Sequence, residues 1–199
     1  AIGSDAATNA NTYCLDFDGT ADYLIHYTPA YRSSDDRGTI FMWIYPDSAS
    51  SDDRLFVLSK TDGTDTASDY HWFDLMLNAS NNLTLTKRNE SSNDVVIAGN
   101  VSQNAWHSVA VVSDGTSYDF YIDGVASSIT SGTDNGNWIA DTAPSNFTAI
   151  SIGVIDYSGG NSNYFDGKIM QVAYFGGSVG SQGVLTAAQI AALHSAGKE

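Results

Sequence analysis

Five Asp-Gly pairs punctuate the chain, at Asp18-Gly19, Asp62-Gly63, Asp114-Gly115, Asp123-Gly124 and Asp166-Gly167. Both residue types tolerate positive φ, so Asp-Gly between alternating runs is the strongest short-range hairpin signal. The runs are present. Thr12–Phe17, Tyr23–Tyr27, Gly38–Tyr45, Leu55–Lys60, Tyr70–Leu77, Leu83–Lys87 and Val95–Ala98 read as strands. Trp106–Ser113, Ser117–Ile122, Ala149–Val154 and Asp166–Phe175 continue the series. Short strands at regular spacing, separated by turn residues, predict a sandwich or barrel. Acid usage agrees: Glu90 and Glu199 are the only Glu among 23 acids, and the rest are Asp, a residue of turns and caps.

Period-two alternation assigns faces. Trp106, Ser108, Ala110 and Val112 share one strand face, and His107, Val109 and Val111 share the other. Tyr118, Phe120 and Ile122 alternate with Asp119, Tyr121 and Asp123 in the next strand. Trp43 and Trp106 lie in such patterns and are expected in the core. One helix is predicted near the end. Thr186-Ala-Ala-Gln189 is a capping box, with Leu185 and Ile190 placed as a hydrophobic staple. Gly197 suits the position just past the helix. This helix is expected on the sandwich exterior. The expected fold is therefore all-β, a two-sheet antiparallel sandwich with one short C-terminal helix. No repeat or linker divides residues 1–199, and a chain of this length buries roughly 70% of its unfolded surface, enough for a single domain.

The formal charge is -15 and the pI about 4.2. Such a surface repels phosphate backbones and anionic lipid, so neither nucleic acid nor membrane insertion is expected. No apolar run approaches the ~20 residues of a membrane span. The start, A-I-G-S-D-A-A-T-N-A, shows no basic or apolar region of a signal peptide. Cys14 stands alone in a strand-like run and reads as a small buried hydrophobe.

Several stretches resemble the laminin G-like, concanavalin A-like lectin/glucanase superfamily. They are Cys14–Leu24 as a first hairpin, Gly38–Tyr45 as a core strand, and Trp106-His107 with the Asp114-Gly115 and Tyr121–Gly124 turns. Ile152-Gly153, Phe165–Ile169 and Leu185–Ile190 complete the order. The resemblance implies a jelly roll of two antiparallel sheets and a laminin G-like domain over 1–199. Ile169-Met170-Gln171-Val172 lacks the late-strand Asp that some relatives use for calcium.

Hydrolytic relatives carry E-x-D-x-x-E on one strand, and no such motif occurs. A retaining glycosidase needs two carboxyls ~5–5.5 Å apart. Asp119 and Asp123 form the best same-face pair, but Asp123 belongs to a turn. No G-x-S-x-G elbow supports a Ser-His-Asp triad, and His26, His71, His107 and His194 lack metal-ligand spacing. The chain is expected not to be an enzyme.

Aromatic faces and polar groups converge in three predicted loops, Thr61–Trp72, Ser131–Asp141 and Ile155–Asp166. Trp72, Trp138, Tyr157, Asn161 and Tyr164 are the expected carbohydrate-binding residues. Asp134, Asn135, Asp156 and Asn163 could bind hydroxyls or calcium. Asp62 and Asp156 are the expected Ca2+ ligands, with Asp65 and Asp69 as further oxygen donors. The first functional reading is a non-catalytic carbohydrate-binding or adhesion module, calcium-assisted, whose partner is a glycan or polysaccharide. The second is a structural virion protein, a phage decoration or tail-associated subunit contacting other surface subunits. A glycosidase or lyase is the third. The first two place the protein outside the cell or on a virion surface.

Overall fold

The computed structural model describes residues 2–4, 13–27, 32–48, 52–60, 71–89, 92–142, 147–157 and 160–197; side chains of 2–4 and 157 are outside it. The strands are β1 (Ile2–Ser4), β2 (Tyr13–Asp18), β3 (Leu24–Tyr27), β4 (Arg37–Pro46), β5 (Asp53–Ser59) and β6 (His71–Leu77). They continue as β7 (Asn82–Asn89), β8 (Ser92–Asn100), β9 (His107–Ser113), β10 (Tyr118–Ile122) and β11 (Val125–Ser127). Next come α1 (Ile139–Thr142), β12 (Ala149–Ile152), β13 (Ile155–Tyr157), β14 (Gly160–Ser162), β15 (Asp166–Gly177) and α2 (Ala187–Ala196). Among the described residues, no helix is long and apolar enough to cross a membrane.

Two antiparallel sheets stack as a jelly-roll sandwich. One has seven strands in the order β1-β2-β15-β4-β9-β10-β11, and the other six in the order β3-β12-β5-β6-β7-β8. Alternation puts Ile40, Met42 and Ile44 of β4 and Val109 and Val111 of β9 on the inner face of the first sheet. Phe73, Leu75 and Leu77 of β6 and Leu83 and Leu85 of β7 line the inner face of the second. Each such side chain, fully buried, contributes roughly 1.5–3 kcal/mol.

The other faces of β4 and β9 are also apolar. Phe41, Trp43, Ala110 and Val112 join Cys14, Tyr121 and Met170 in a second cluster, sealed by Ile190 of α2. The helix thus lies on the exterior of the seven-stranded sheet. Its capping box is formed: Gln189 N donates to Thr186 Oγ1 at 3.3 Å, and Thr186 N donates to Gln189 Oε1 at 2.8 Å. His194 stacks on Trp43 with ring centroids 5.1 Å apart. Gly197 is not left-handed as its position suggested; its φ is -75°. Glycine is needed there for space, because a Cβ would lie 2.2 Å from Trp43 Nε1.

The Asp-Gly pairs do three different jobs. Asp123-Gly124 closes a two-residue hairpin between β10 and β11, with φ of 55° and 74°, as a type I′ turn requires. Asp18 and Asp114 end their strands in side-chain turns. Asp18 Oδ1 accepts from the backbone N–H groups of Ala21, Thr20 and Asp22, which hold its carboxyl well below the usual range. Asp166-Gly167 is no turn; both residues pair within β15. Asp62-Gly63 lies outside the described residues.

All eleven predicted strands coincide with elements of the sandwich. The short β1, β11, β13 and β14, three residues each, carry too little pattern to be read. α1 is a single turn fastened by its own side chains: Trp138 N donates to Asp141 Oδ2 at 3.0 Å, and Thr142 Oγ1 donates to the Trp138 carbonyl at 2.9 Å. In β15 the pairing with β4 shifts between Met170 and Ala173, and Gln171 there has φ 54°. The late strand that lacks an Asp is therefore also bulged at that point.

Candidate functional site

Among the described residues no helix covers the outer face of the six-stranded sheet, and cross-strand register arranges its side chains in rows. Ser59, Trp72, Arg88 and Asn93 are successive partners across β5 to β8. Val57, Asp74, Thr86 and Val95 form the next row, and Arg54, Met76, Thr84 and Ile97 the third. These residues share one face because the side-chain period along each strand is two. Part of these rows, Arg54, Trp72, Met76, Thr84, Thr86 and Asn93 included, lines a groove of about 260 Å³ that Asn78 also walls. Four strands lie beneath it, so it spans ~14 Å across the sheet at ~4.8 Å per strand.

The groove floor holds a buried ion pair. Arg54 Nη1 donates to Asp74 Oδ2, and both side chains are buried. Burial pushes the Asp74 carboxyl up from its ordinary 3.8 to about 6, against the pull of Arg54 toward lower values. At the wall, the Arg88 guanidinium carbon lies 4.8 Å from the centroid of the Trp72 ring. That cation–π contact fixes the indole orientation at the groove's edge.

Trp72 is thus the one expected carbohydrate-binding residue that the structure places in this groove. Trp138 is corrected. It is 0% exposed, lies in the core and meets Phe73 edge-to-face at 4.8 Å, so no sugar can reach its ring. Its apolar neighbours were hidden by the polar sequence around it, Thr133–Asn137. Asn161 and Asp156 face each other across β13 and β14, in the hairpin that also holds Tyr157. Tyr164 is half-buried, with its ring 6.1 Å from that of Tyr23. This hairpin reaches the groove through backbone, where Arg54 N donates to the Asn163 carbonyl at 3.3 Å.

Of the two expected calcium ligands, Asp62 lies outside the described residues, as do Asp65 and Asp69. Asp156 is buried and accepts from Tyr27 Oη at 3.1 Å, an interaction that raises the Tyr27 pKa. Among the described residues no three His, Cys, Asp or Glu side chains group as metal ligands.

Sequence reasoning missed a hydrogen-bonded line at the opposite sheet. His107 Nδ1 lies 2.8 Å from Asp123 Oδ2, and His107 Nε2 lies 2.8 Å from Ser102 Oγ. A carboxylate can only accept, so Nδ1–H donates to Asp123, and Nε2 shares a hydrogen bond with Ser102 Oγ. Asp123 Oδ1 accepts from Ser108 N at 3.2 Å, and Asp123 N donates to the Ser108 carbonyl at 2.8 Å. The aspartate is therefore bound to β9 from three sides, and the imidazole pins the Asp123-Gly124 turn to the strand that begins with His107. The Trp-His and Asp-Gly motifs are spaced to make that clasp.

Asn135, from the second expected loop, belongs to a polar cluster at the sandwich end. Lys87 Nζ lies 2.8 Å from Asp94 Oδ2 and donates to Asn135 Oδ1 at 3.2 Å. Asn135 Nδ2 donates to Asp94 Oδ2 at 3.0 Å, and Tyr118 Oη donates to Asn135 Oδ1 at 3.0 Å. Asp134 Oδ1 accepts from Tyr118 N at 2.6 Å.

Solved structures share this architecture. The Ruminococcus gnavus IT-sialidase CBM40 bound to alpha2,3 sialyllactose superposes with a TM-score of 0.67 at 14% identity, covering 91% of this chain and 97% of that one. Domain 4 of AbnA, a GH43 extracellular arabinanase from Geobacillus stearothermophilus in complex with arabinotriose, gives 0.64 at 15% identity, covering 98% and 80%. The SAP-like pentraxin of Limulus polyphemus gives 0.58 at 19% identity, covering 90% and 80%. No protein of curated function matches the chain. The family model for the concanavalin A-like lectin/glucanases superfamily matches residues 18–191, and with the two-sheet fold just described the chain belongs to that superfamily.

Proposed function

We propose that this chain is a non-catalytic carbohydrate-binding module, one laminin G-like domain, whose ligand lies in the groove over β5–β8. The carrying observation is Trp72, an indole held at a groove whose accessible polar walls include Asn78 and Asn93, with Thr84 and Thr86 buried in its floor. Sugar rings present C–H faces that pack on an aromatic ring, and hydroxyls that need both donors and acceptors. Likeness in fold to a CBM40 bound to sialyllactose and to an arabinanase domain in complex with arabinotriose supports the reading. A non-catalytic role is supported by Asp123, one of the two candidate acids, being committed to its turn.

Binding to a glycan array, with and without calcium, tests this. Trp72→Ala should weaken any bound glycan at least about tenfold, equivalent to ~1.4 kcal/mol. Unchanged binding by the variant refutes the groove as the site, and no binding in either condition refutes the function. Binding that requires calcium would support the assisted form.

One observation favours a second reading, a surface subunit of a virion or similar assembly. An apolar cavity of about 400 Å³ opens where β2, β3, β12 and β15 meet, lined by Tyr13, Leu15, Leu24, Ile152, Ile169 and Val172. Tyr13 is 74% and Leu24 49% exposed. Such a patch fits contact with another subunit. Light scattering across a concentration series tests it: assembly lost in Leu24→Ser supports the reading, and a monomer throughout counts against it.

A further inference from the structure

A second cavity, of about 420 Å³, opens at the end of the sandwich where β7 and β8 meet the 131–142 segment. Its walls are polar: Lys87, Asp94, Asn135, Asn137 and Asp141 contribute, and so does Asn93. Asn93 lines both the outer-face groove and this cavity, whereas Lys87 and Asp94 face the opposite side of the sheet, so the two cavities meet around the edge strand β8 at Asn93. The wall is pre-arranged. Asn135 is held by Lys87, Tyr118 and Asp94 at 3.0–3.2 Å, and Lys87 is itself buried. Groups fixed before binding lose little entropy when a ligand arrives.

Charge decides what kind of ligand fits. The cations lining the two cavities are both spent inside the protein, Arg54 on Asp74 and Lys87 on Asp94. Arg88, close by, lies over the Trp72 ring. Asp52 and Asp141 add negative charge to the walls, on a chain of formal charge -15. A carboxylate-bearing sugar would meet acids and already neutralised cations, whereas hydroxyls match carboxamides, which both donate and accept.

We propose that the cavity at Lys87, Asn135 and Asn137 is a second sugar subsite, reached from the Trp72 groove around the β8 edge at Asn93, and that the ligand is an uncharged oligosaccharide. The proposal rests on the groove being a sugar site. The groove falls just below the usual ligand-site volumes, room for a single sugar unit, and the second cavity lies within them. One sugar unit in each makes affinity depend on chain length.

The test is calorimetry on the full chain with neutral pentose and hexose oligosaccharides graded from one unit to four. Oligosaccharides carrying a sialic or uronic acid are run beside them at low salt. The neutral oligosaccharide that binds should do so at least about tenfold more tightly than its monosaccharide, because the second unit binds at high effective concentration. Asn137→Ala and Thr133→Val, on walls of the second cavity, should erase that gain and leave monosaccharide binding unchanged. Two exposed positions make loss of folding in both variants unexpected, and a thermal melt checks it. A chain-length gain that survives both substitutions overturns the proposal while leaving the groove in place, provided Trp72→Ala still weakens binding. Tighter binding of the acidic sugars overturns it too. Failure of every sugar to bind overturns both this proposal and the function it rests on.

Discussion

Asp74→Asn tests which force governs the floor of the groove. Burial and Arg54 act on the Asp74 carboxyl in opposite directions, and burial wins: the pKa is about 6 when folded against an ordinary 3.8. Each pKa unit corresponds to 1.36 kcal/mol, so ionising Asp74 costs the fold roughly 3 kcal/mol. The folded state binds this proton more tightly than the unfolded chain. The stability contributed by the neutral acid is therefore complete below pH 3.8 and lost as pH rises through about 6. Asparagine is neutral throughout and keeps a carbonyl oxygen to accept from Arg54. Wild type and variant should be of similar stability near pH 4, and the variant should be more stable by roughly 3 kcal/mol near pH 8. In a chain of this size that corresponds to roughly 6–12 °C in melting temperature. Urea unfolding of both proteins across this range isolates the effect, because carboxyls held low elsewhere, such as Asp36, Asp94 and Asp114, are shared and cancel in the difference. A variant that loses stability as pH rises, relative to wild type, would show that the attraction of Arg54 prevails and refute the argument from burial.

Other substitutions separate core from site. Trp138→Ala removes a fully buried indole and should cost about 3–5 kcal/mol in thermal or urea unfolding, with glycan affinity of the folded fraction unchanged because Trp138 lies between the sheets. Gly197→Ala reverses the ordinary rule. At a helical φ this exchange usually stabilises by about 0.4–1 kcal/mol, but here the new methyl meets Trp43 Nε1 at 2.2 Å. The protein should instead melt lower, by an overpacking cost of about 1–3 kcal/mol.

The strands were legible because each buried face writes a period of two into the sequence. β4 and β9 show how much that pattern carries: Ile40, Met42 and Ile44 point to one cluster, Phe41 and Trp43 to the other. The capping box around Thr186 was equally plain, since all its atoms lie within four residues. The groove was not legible beyond Trp72. Arg54, Thr86 and Asn93 are far apart in sequence, and only the register of β5 to β8 sets them side by side. Trp138 misled for a related reason. The residues before it in sequence are Asn and Gly, while its neighbours in space include Phe73, brought there by a different strand.

The two outer faces explain why the groove lies where it does. A strand apolar on both sides must be covered twice, and β4 and β9 are covered by the opposite sheet on one side and by α2 on the other. The outer positions of β6 and β7 mix Trp72, Met76, Thr84, Thr86 and Arg88. Met76, Thr84 and Thr86 are themselves buried, and Thr84 Oγ1 donates to the Asn82 carbonyl at 2.9 Å, so the accessible part of this face is its rim, at Trp72, Asn78 and Asn93. At that rim one aromatic ring stands beside amides, a mixture that matches the chemistry of a sugar better than that of a protein core.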